Sequence, residues 1–241
     1  MILEGNVSVK AAILGERRKV TTVIVDQTKH DKDTSFILHR AAERGIEIIR
    51  ADREEIDNLT IGKTHGGLIA MAEGRQYQTM DDLLKKENPF FALVEGVEDP
   101  FNLGYVIRSL YSAGCDGLLL DQRDWQRVES VILKSSAGAF EYLDIVMCEN
   151  PAADIVRMKN AGIKTYAAMR KDAISYFDAD LTRPLFIAVG GEMRGLSSKV
   201  RAEIEQNIYI PYANDFRNAL NASGACSALA FEVMRQNLNK Q

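Results

Sequence analysis

Apolar positions in this chain alternate between two rhythms. Short unbroken runs, VTTVIVDQ (20–27), IEIIRA (46–51) and GGLIAMAE (66–73), have the β-branched content of buried strands. Between them, NVSVKAAILGERR (6–18), SFILHRAAERG (35–45) and DREEIDNL (52–59) place apolar residues three and four apart, as one buried helical face requires. The last of these opens on Asp52, whose carboxylate suits the unpaired N–H groups of a first turn. The pattern predicts a small α/β domain over residues 1–80, with three or four strands. The charged stretch DDLLKKENPF (81–90) then reads as a linker over 81–89.

From residue 90 onward the alternation continues with longer apolar runs. FFALVEG (90–96), DGLLLD (116–121), LDIVMC (143–148), KTYAAM (164–169), LFIAVGG (185–191) and IYIPY (208–212) read as strands buried on both faces. Helical segments such as VESVILKSSAGA (128–139) and PAADIVRMKNAG (151–162) lie between them. Strands joined through helices make right-handed crossovers and a parallel sheet, so residues 90–241 form a second α/β domain. Ligands of such sheets bind beyond the C-terminal strand ends.

Three stretches break the rhythm at those ends. In DPFNLGYVIRS (99–109), Leu103, Val106, Ile107 and Leu110 make one buried helical face, and Asn102 stands where an N-cap belongs. Arg108 projects about 140° from the centre of that face, on the same side as Gly104. In LFIAVGGEMRGLS (185–197), a strand runs into Gly190, Gly191 and Gly195, and glycines permit close backbone approach to a ligand. In IYIPYANDFRNALNASGACSALAFEVMRQ (208–236), a strand ends at Pro211 and a helix rich in Ala, Ser and Gly begins near Asn221.

Composition narrows the chemistry. With 46% hydrophobic and 27% charged residues the chain has the balance of a globular protein, expected in the cytoplasm. No apolar run reaches the 18 or so residues of a membrane span, and the start lacks a signal-peptide layout. Cys115, Cys148 and Cys226 are far apart and read as reduced, buried thiols. His30, His39 and His65 are too scattered for a metal site, so no metal is expected. Gly62-Lys63-Thr64 lacks the glycine of a phosphate loop, since position 57 is Asp, and no G-x-G-x-x-G follows a first strand. Net charge is −4, and residues 1–80 balance 12 basic against 12 acidic side chains. Phosphate binding would therefore need a local patch, for which Arg17-Arg18-Lys19 with Lys10 is the candidate.

Taken together, N-x-G-x-x-x-R (Asn102, Gly104, Arg108), G-x-E-x-x-G-L (Gly190, Glu192, Gly195, Leu196) and I-P followed by L-N-x-S (Ile210, Pro211, Leu220, Asn221, Ser223) resemble the SpoU (TrmH) branch of the SPOUT methyltransferases. KSSAGAFE (134–141) matches a further family stretch, and the likeness covers roughly 90–238. The N-terminal part, closed by THGGLIA (64–70), resembles the small RNA-binding domain that many members carry. The resemblance implies a parallel-sheet SPOUT domain with a deep trefoil knot, and S-adenosyl-L-methionine as cofactor. It also implies a homodimer joined through the C-terminal domain, and methylation of a ribose 2′-hydroxyl in structured RNA, ribosomal ahead of transfer RNA. By the same resemblance Gly190, Gly191, Glu192, Gly195, Ile210 and Leu220 hold the cofactor, while Arg108, Asn102, Glu192, Asn221 and Ser223 form the catalytic set.

A ribose hydroxyl must shed its proton near the transition state, whereas the sulfonium leaving group departs neutral and needs neither acid nor metal. A guanidinium with pKa above about 12 serves better as a fixed charge beside an alkoxide than as a base. Ala219, Tyr105 and Met193 depart from the family pattern. They leave two alternatives: an RNA-binding SPOUT protein with weak or lost catalysis, or methylation of a base.

Overall fold

The computed structural model describes residues 1–60, 64–191 and 193–238. Gly62 and Lys63, of the discarded phosphate-loop stretch, lie outside these residues. The chain divides into two compact units, residues 1–76 with 124–142, and residues 77–123 with 143–241.

The first unit runs β1 (Ile2–Glu4), α1 (Gly5–Gly15), β2 (Val20–Asp26), α2 (Lys32–Glu43), β3 (Glu47–Ala51), α3 (Arg53–Leu59) and β4 (Leu68–Ala72). Its four-stranded sheet has the order β1-β4-β2-β3, with β2 and β3 parallel and β4 antiparallel to both β1 and β2. Asp31 caps α2 by accepting from Thr34 N–H at 2.9 Å, and Asp52 with Glu55 makes a capping box on α3.

Residues 124–142 belong to this unit, so the expected uninterrupted domain over 90–241 is corrected. The reason is electrostatic and steric. Arg18 is fully buried; its Nε donates to Glu141 Oε1 at 2.7 Å and its Nη1 to Glu129 Oε2 at 2.9 Å. Buried charges need partners, and here both carboxylates come from the distant segment. A Cβ on Gly138, which sits at φ +90°, would press within 2.8 Å of Ala11 Cβ, so α1 lies directly on this segment. Arg18 is therefore a structural residue and leaves the expected basic patch. Lys10 is also engaged, 2.8 Å from Asp33 Oδ1.

The second unit contributes α4 (Met80–Leu84), β5 (Phe90–Glu95), α5 (Pro100–Ser112), β6 (Gly117–Asp121), β7 (Asp144–Cys148), α7 (Pro151–Asn160), β8 (Lys164–Ala168), β9 (Ala173–Ser175), β10 (Leu185–Gly190), α8 (Ser198–Glu203), β11 (Gln206–Tyr209) and α9 (Ala222–Asn237); the intervening α6 (Glu129–Ser135) lies in the first unit. The stretch read as linker begins inside α4, whose Thr79–Asp82 capping box starts a turn that buries Met80 and Leu83. The strands form a seven-stranded sheet, all parallel, ordered β7-β6-β5-β10-β8-β11-β9. Phe91, Leu93, Leu119 and Phe186 are fully buried in its core, as strands covered on both faces demand. The three cysteines are buried free thiols, and desolvation pushes Cys115 and Cys226 up to about 12. Among the described residues no helix is long and apolar enough to cross a membrane.

Chain order leaves β5 in one direction toward β6 and β7. It then returns to build β8, β10, β11 and β9 on the other side. The reversal falls between β5 and β10, where an open parallel sheet leaves a crevice.

Candidate functional site

The corner after β5 starts the site. Asp99 caps α5 by accepting from Asn102 N–H at 2.9 Å, and Pro100 occupies the first helical position, where its fixed φ and missing N–H cost nothing. Asn102 is thus in the first turn and is not the cap that the sequence suggested. Its half-buried side chain makes no hydrogen bond with another described residue and lines a cavity. Leu103, Gly104, Val106, Ile107 and Leu110 are buried, as their spacing predicts. Arg108, one turn beyond Gly104, is exposed and pairs with no other described residue. Helix α5 packs on α9, where the hydroxyls of Ser109 and Ser227 are 2.7 Å apart.

The glycines after β10 are needed for chain to approach chain. A methyl group on Gly190 would collide with the main chain of Gly195, and one on Gly191 with the carbonyl oxygen of Gly96. Gly191 N–H donates to Glu95 O at 2.6 Å, and Gly195 N–H to Gly191 O at 3.0 Å. Gly195 itself has φ +62°, the left-handed region that favours glycine. The loop folds back tightly, and the Glu95 carboxylate secures its far end by accepting from Ser197 N–H at 2.6 Å. Glu192 lies outside the described residues.

Past β11, Asn221 caps α9 through Oδ1, which accepts from Gly224 N–H at 2.7 Å. Ser223 is half-buried and its carbonyl accepts from the Ser227 hydroxyl at 2.8 Å.

Two cavities open at the strand ends. The first, about 360 Å³, brings together five of the expected cofactor residues, Gly190, Gly191, Gly195, Ile210 and Leu220. The second, about 600 Å³, takes in Asn102 with Glu95, Asp99, Asp121 and Met193. They share Arg194, Gly195 and Ala222, so one wall serves both. Arg108, Asn221 and Ser223 line neither.

Sequence reasoning missed three arginines of the first cavity, Arg170, Arg194 and Arg201, and the aromatic Tyr212. The signal for Arg170 is its position two residues past a strand end; nothing in periodicity marks the others. Among its described lining residues the first cavity has no carboxylate. A pocket of this size, lined by apolar side chains, glycines and three arginines, suits a nucleoside carrying an amino-acid carboxylate.

A doubly wound parallel sheet with a nucleoside-sized cavity beyond the C-terminal ends of β8, β10 and β11 has the architecture of an α/β protein that binds a ligand at its strand ends. The profile of the SpoU rRNA Methylase family matches residues 89–231, and that of the RNA 2′-O ribose methyltransferase substrate-binding domain matches residues 2–78. The chain belongs to the SpoU rRNA methylase family. It is an RNA methyltransferase. A 23S rRNA (guanosine-2′-O-)-methyltransferase of Photorhabdus laumondii is 29% identical over 98% of this chain and 98% of its own length. An uncharacterized tRNA/rRNA methyltransferase of Synechocystis sp. is 27% identical over 98% of this chain, which spans only 62% of that relative. Among solved structures, the SpoU methyltransferase AviRb of Streptomyces viridochromogenes, in complex with AdoMet, superposes with a TM-score of 0.78 at 24% identity, covering 99% of this chain and 91% of that one. That likeness establishes the fold.

Proposed function

We propose that the protein methylates a ribose 2′-hydroxyl in structured RNA, ribosomal ahead of transfer RNA, and that it works as a homodimer in the cytoplasm. The observation that carries this reading is the shared wall of the two cavities. One collects the glycine and main-chain positions suited to a cofactor; the other holds the uncommitted amide of Asn102. The P. laumondii relative, similar over its whole length, is named for the same chemistry.

In this reading Gly190, Gly191, Gly195, Ile210 and Leu220 hold S-adenosyl-L-methionine, chiefly through their backbones. When bound, the cofactor supplies an electrophilic methyl on a sulfonium. Asn102 orients the ribose from the second cavity. Arg108 provides a permanent positive charge that favours the 2′-alkoxide or holds the adjacent phosphate, with no need to lose a proton. Glu192 and Asn221 orient that charge, and Ser223 belongs to the same set by family position. The dimer is carried by α5 and α9, which expose Phe101, Tyr105, Tyr111 and Phe231. Exposed aromatic residues on packed neighbouring helices fit an association surface. A second copy seated there would also enclose Arg108.

The test is transfer of a tritiated methyl group to total RNA from a strain lacking the gene, followed by alkaline hydrolysis. An alkali-resistant labelled dinucleotide is the expected product, because a methylated 2′-oxygen cannot attack its phosphate. Label in an alkali-labile mononucleotide would assign the enzyme to base methylation. No label, with RNA still bound, would mean that catalysis is lost; Ala219, on the cofactor cavity wall where the family usually has Ser before Leu-Asn, would be the first residue to change to Ser.

A further inference from the structure

The first cavity is closed on one side by the segment between β11 and α9, which contributes Tyr212, Ala219 and Leu220 to its lining. That segment is exposed over nearly its whole length and has few backbone hydrogen bonds of its own; Phe216 N–H to Asn214 O, 2.8 Å, is one. Such a stretch opens locally unless something pins it.

One side chain from outside does so. Arg170 reaches across from just past β8; its Nη1 donates to Arg217 O at 2.9 Å and its Nη2 to Asn218 O at 3.1 Å. The same guanidinium lies 4.8 Å from the centroid of the Tyr212 ring. Tyr212 closes the loop on itself, because its hydroxyl accepts from Leu220 N–H at 2.9 Å. Arg170 and Tyr212 thus bind both ends of the segment, and both residues face the cavity. The planar fork is essential: lysine has the charge but cannot span two carbonyls and stack on a ring together.

We propose that Arg170, with Tyr212, is a positioning residue: a clasp that holds 212–220 as the cavity wall and sets how long the cofactor stays bound. This rests on the cofactor reading of that cavity. It touches none of the residues placed in the catalytic set.

Two measurements on the full-length protein separate the clasp from the reading beneath it. Trypsin nicking at the Arg217–Asn218 bond, followed by mass spectrometry without cofactor, reports the segment directly. Arg170→Ala should be nicked at least about tenfold faster than wild type and Arg170→Lys nearly as fast. Tyr212→Phe, which loses only the acceptor for Leu220 N–H, should fall between. Binding of S-adenosyl-L-methionine, by calorimetry and rapid-mixing kinetics, reports the consequence. Arg170→Ala should raise Kd about tenfold, through faster dissociation with little change in association. An Arg170→Ala protein nicked at the wild-type rate overturns the clasp, and so does faster nicking with an unchanged dissociation rate. A drop in melting temperature of the cofactor-free protein that accounts for both effects also overturns it in favour of a purely structural role. Failure of the wild type to bind S-adenosyl-L-methionine instead defeats the cofactor assignment, and nicking alone then decides whether the segment is pinned.

Discussion

Two arginines that look equally able to meet a phosphate in the sequence have opposite fates. Arg18 sits in a basic triplet, yet its side chain is 0% exposed and divided between Glu129 and Glu141. Arg108 is the only cation of an otherwise apolar and polar helix face, and it is exposed with no described partner. The difference teaches how a fold commits one charge and leaves another available. Burial with two carboxylates ties Arg18 to the fold, while Arg108, two turns into α5, pairs with no other described residue. A triplet of basic residues is weaker evidence for RNA contact than one cation whose neighbours leave it alone.

The sharpest way to break this comparison is at Arg108. Arg108→Ala should lower methyl transfer about 10²–10³-fold, the usual cost of removing one preorganised charge from a developing oxyanion. Arg108→Lys should recover little of it if the bidentate fork matters. Because the residue is exposed, the melting transition should stay within about 0.5 kcal/mol of wild type. Near-wild-type turnover by the lysine variant with unchanged RNA affinity would remove the bidentate role.

At Arg18 the expected loss is in stability. Arg18→Ala leaves Glu129 and Glu141 buried without their cation, which should cost about 3–5 kcal/mol in urea unfolding. Replacing all three with apolar residues, Arg18→Met with Glu129→Leu and Glu141→Leu, should restore most of that loss, since the desolvation cost vanishes along with the attraction. RNA affinity of the restored protein should match wild type. A selective fall in RNA affinity would return Arg18 to the interface and dissolve the contrast.

The ease of reading these regions from sequence also differs. The strands of the second unit were legible because FFALVEG, DGLLLD and LFIAVGG are buried on both faces, and α5 because its apolar spacing is regular. β1 and β9 are three residues each, too short for any periodicity. The TMDD opening of α4 does carry a capping-box signature, hidden by the charges that follow. The place of 124–142 in the first unit was not legible: the Arg18–Glu141 pair joins residues 123 apart, and nothing local announces it. In the loop after β10, the glycines make room for chain rather than ligand, since Gly190 and Gly191 face the main chain of Gly195 and Gly96. Asn102 was displaced as cap by Asp99, whose place before a proline at the first helical position is the better signal.

The smallest expected effect tests what remains of the basic triplet. Lys19 is 71% exposed, and its nearest carboxylate, on Glu73, is 3.8 Å away, a loose surface pair worth little to stability. Lys19→Glu should therefore change unfolding free energy by less than about 0.5 kcal/mol. If Lys19 meets a phosphate, the variant should bind RNA more weakly, and the slope of log affinity against log salt should fall by about 1. Salt then separates the two kinds of cation within one triplet. Raising ionic strength toward 1 M shrinks the screening length to about 3 Å, which abolishes a contribution from Lys19 but hardly reaches a pair buried like Arg18 and Glu141. An unchanged salt slope in Lys19→Glu would clear Lys19, as burial clears Arg18, from the RNA surface and leave Arg108 with a stronger claim to substrate contact than either.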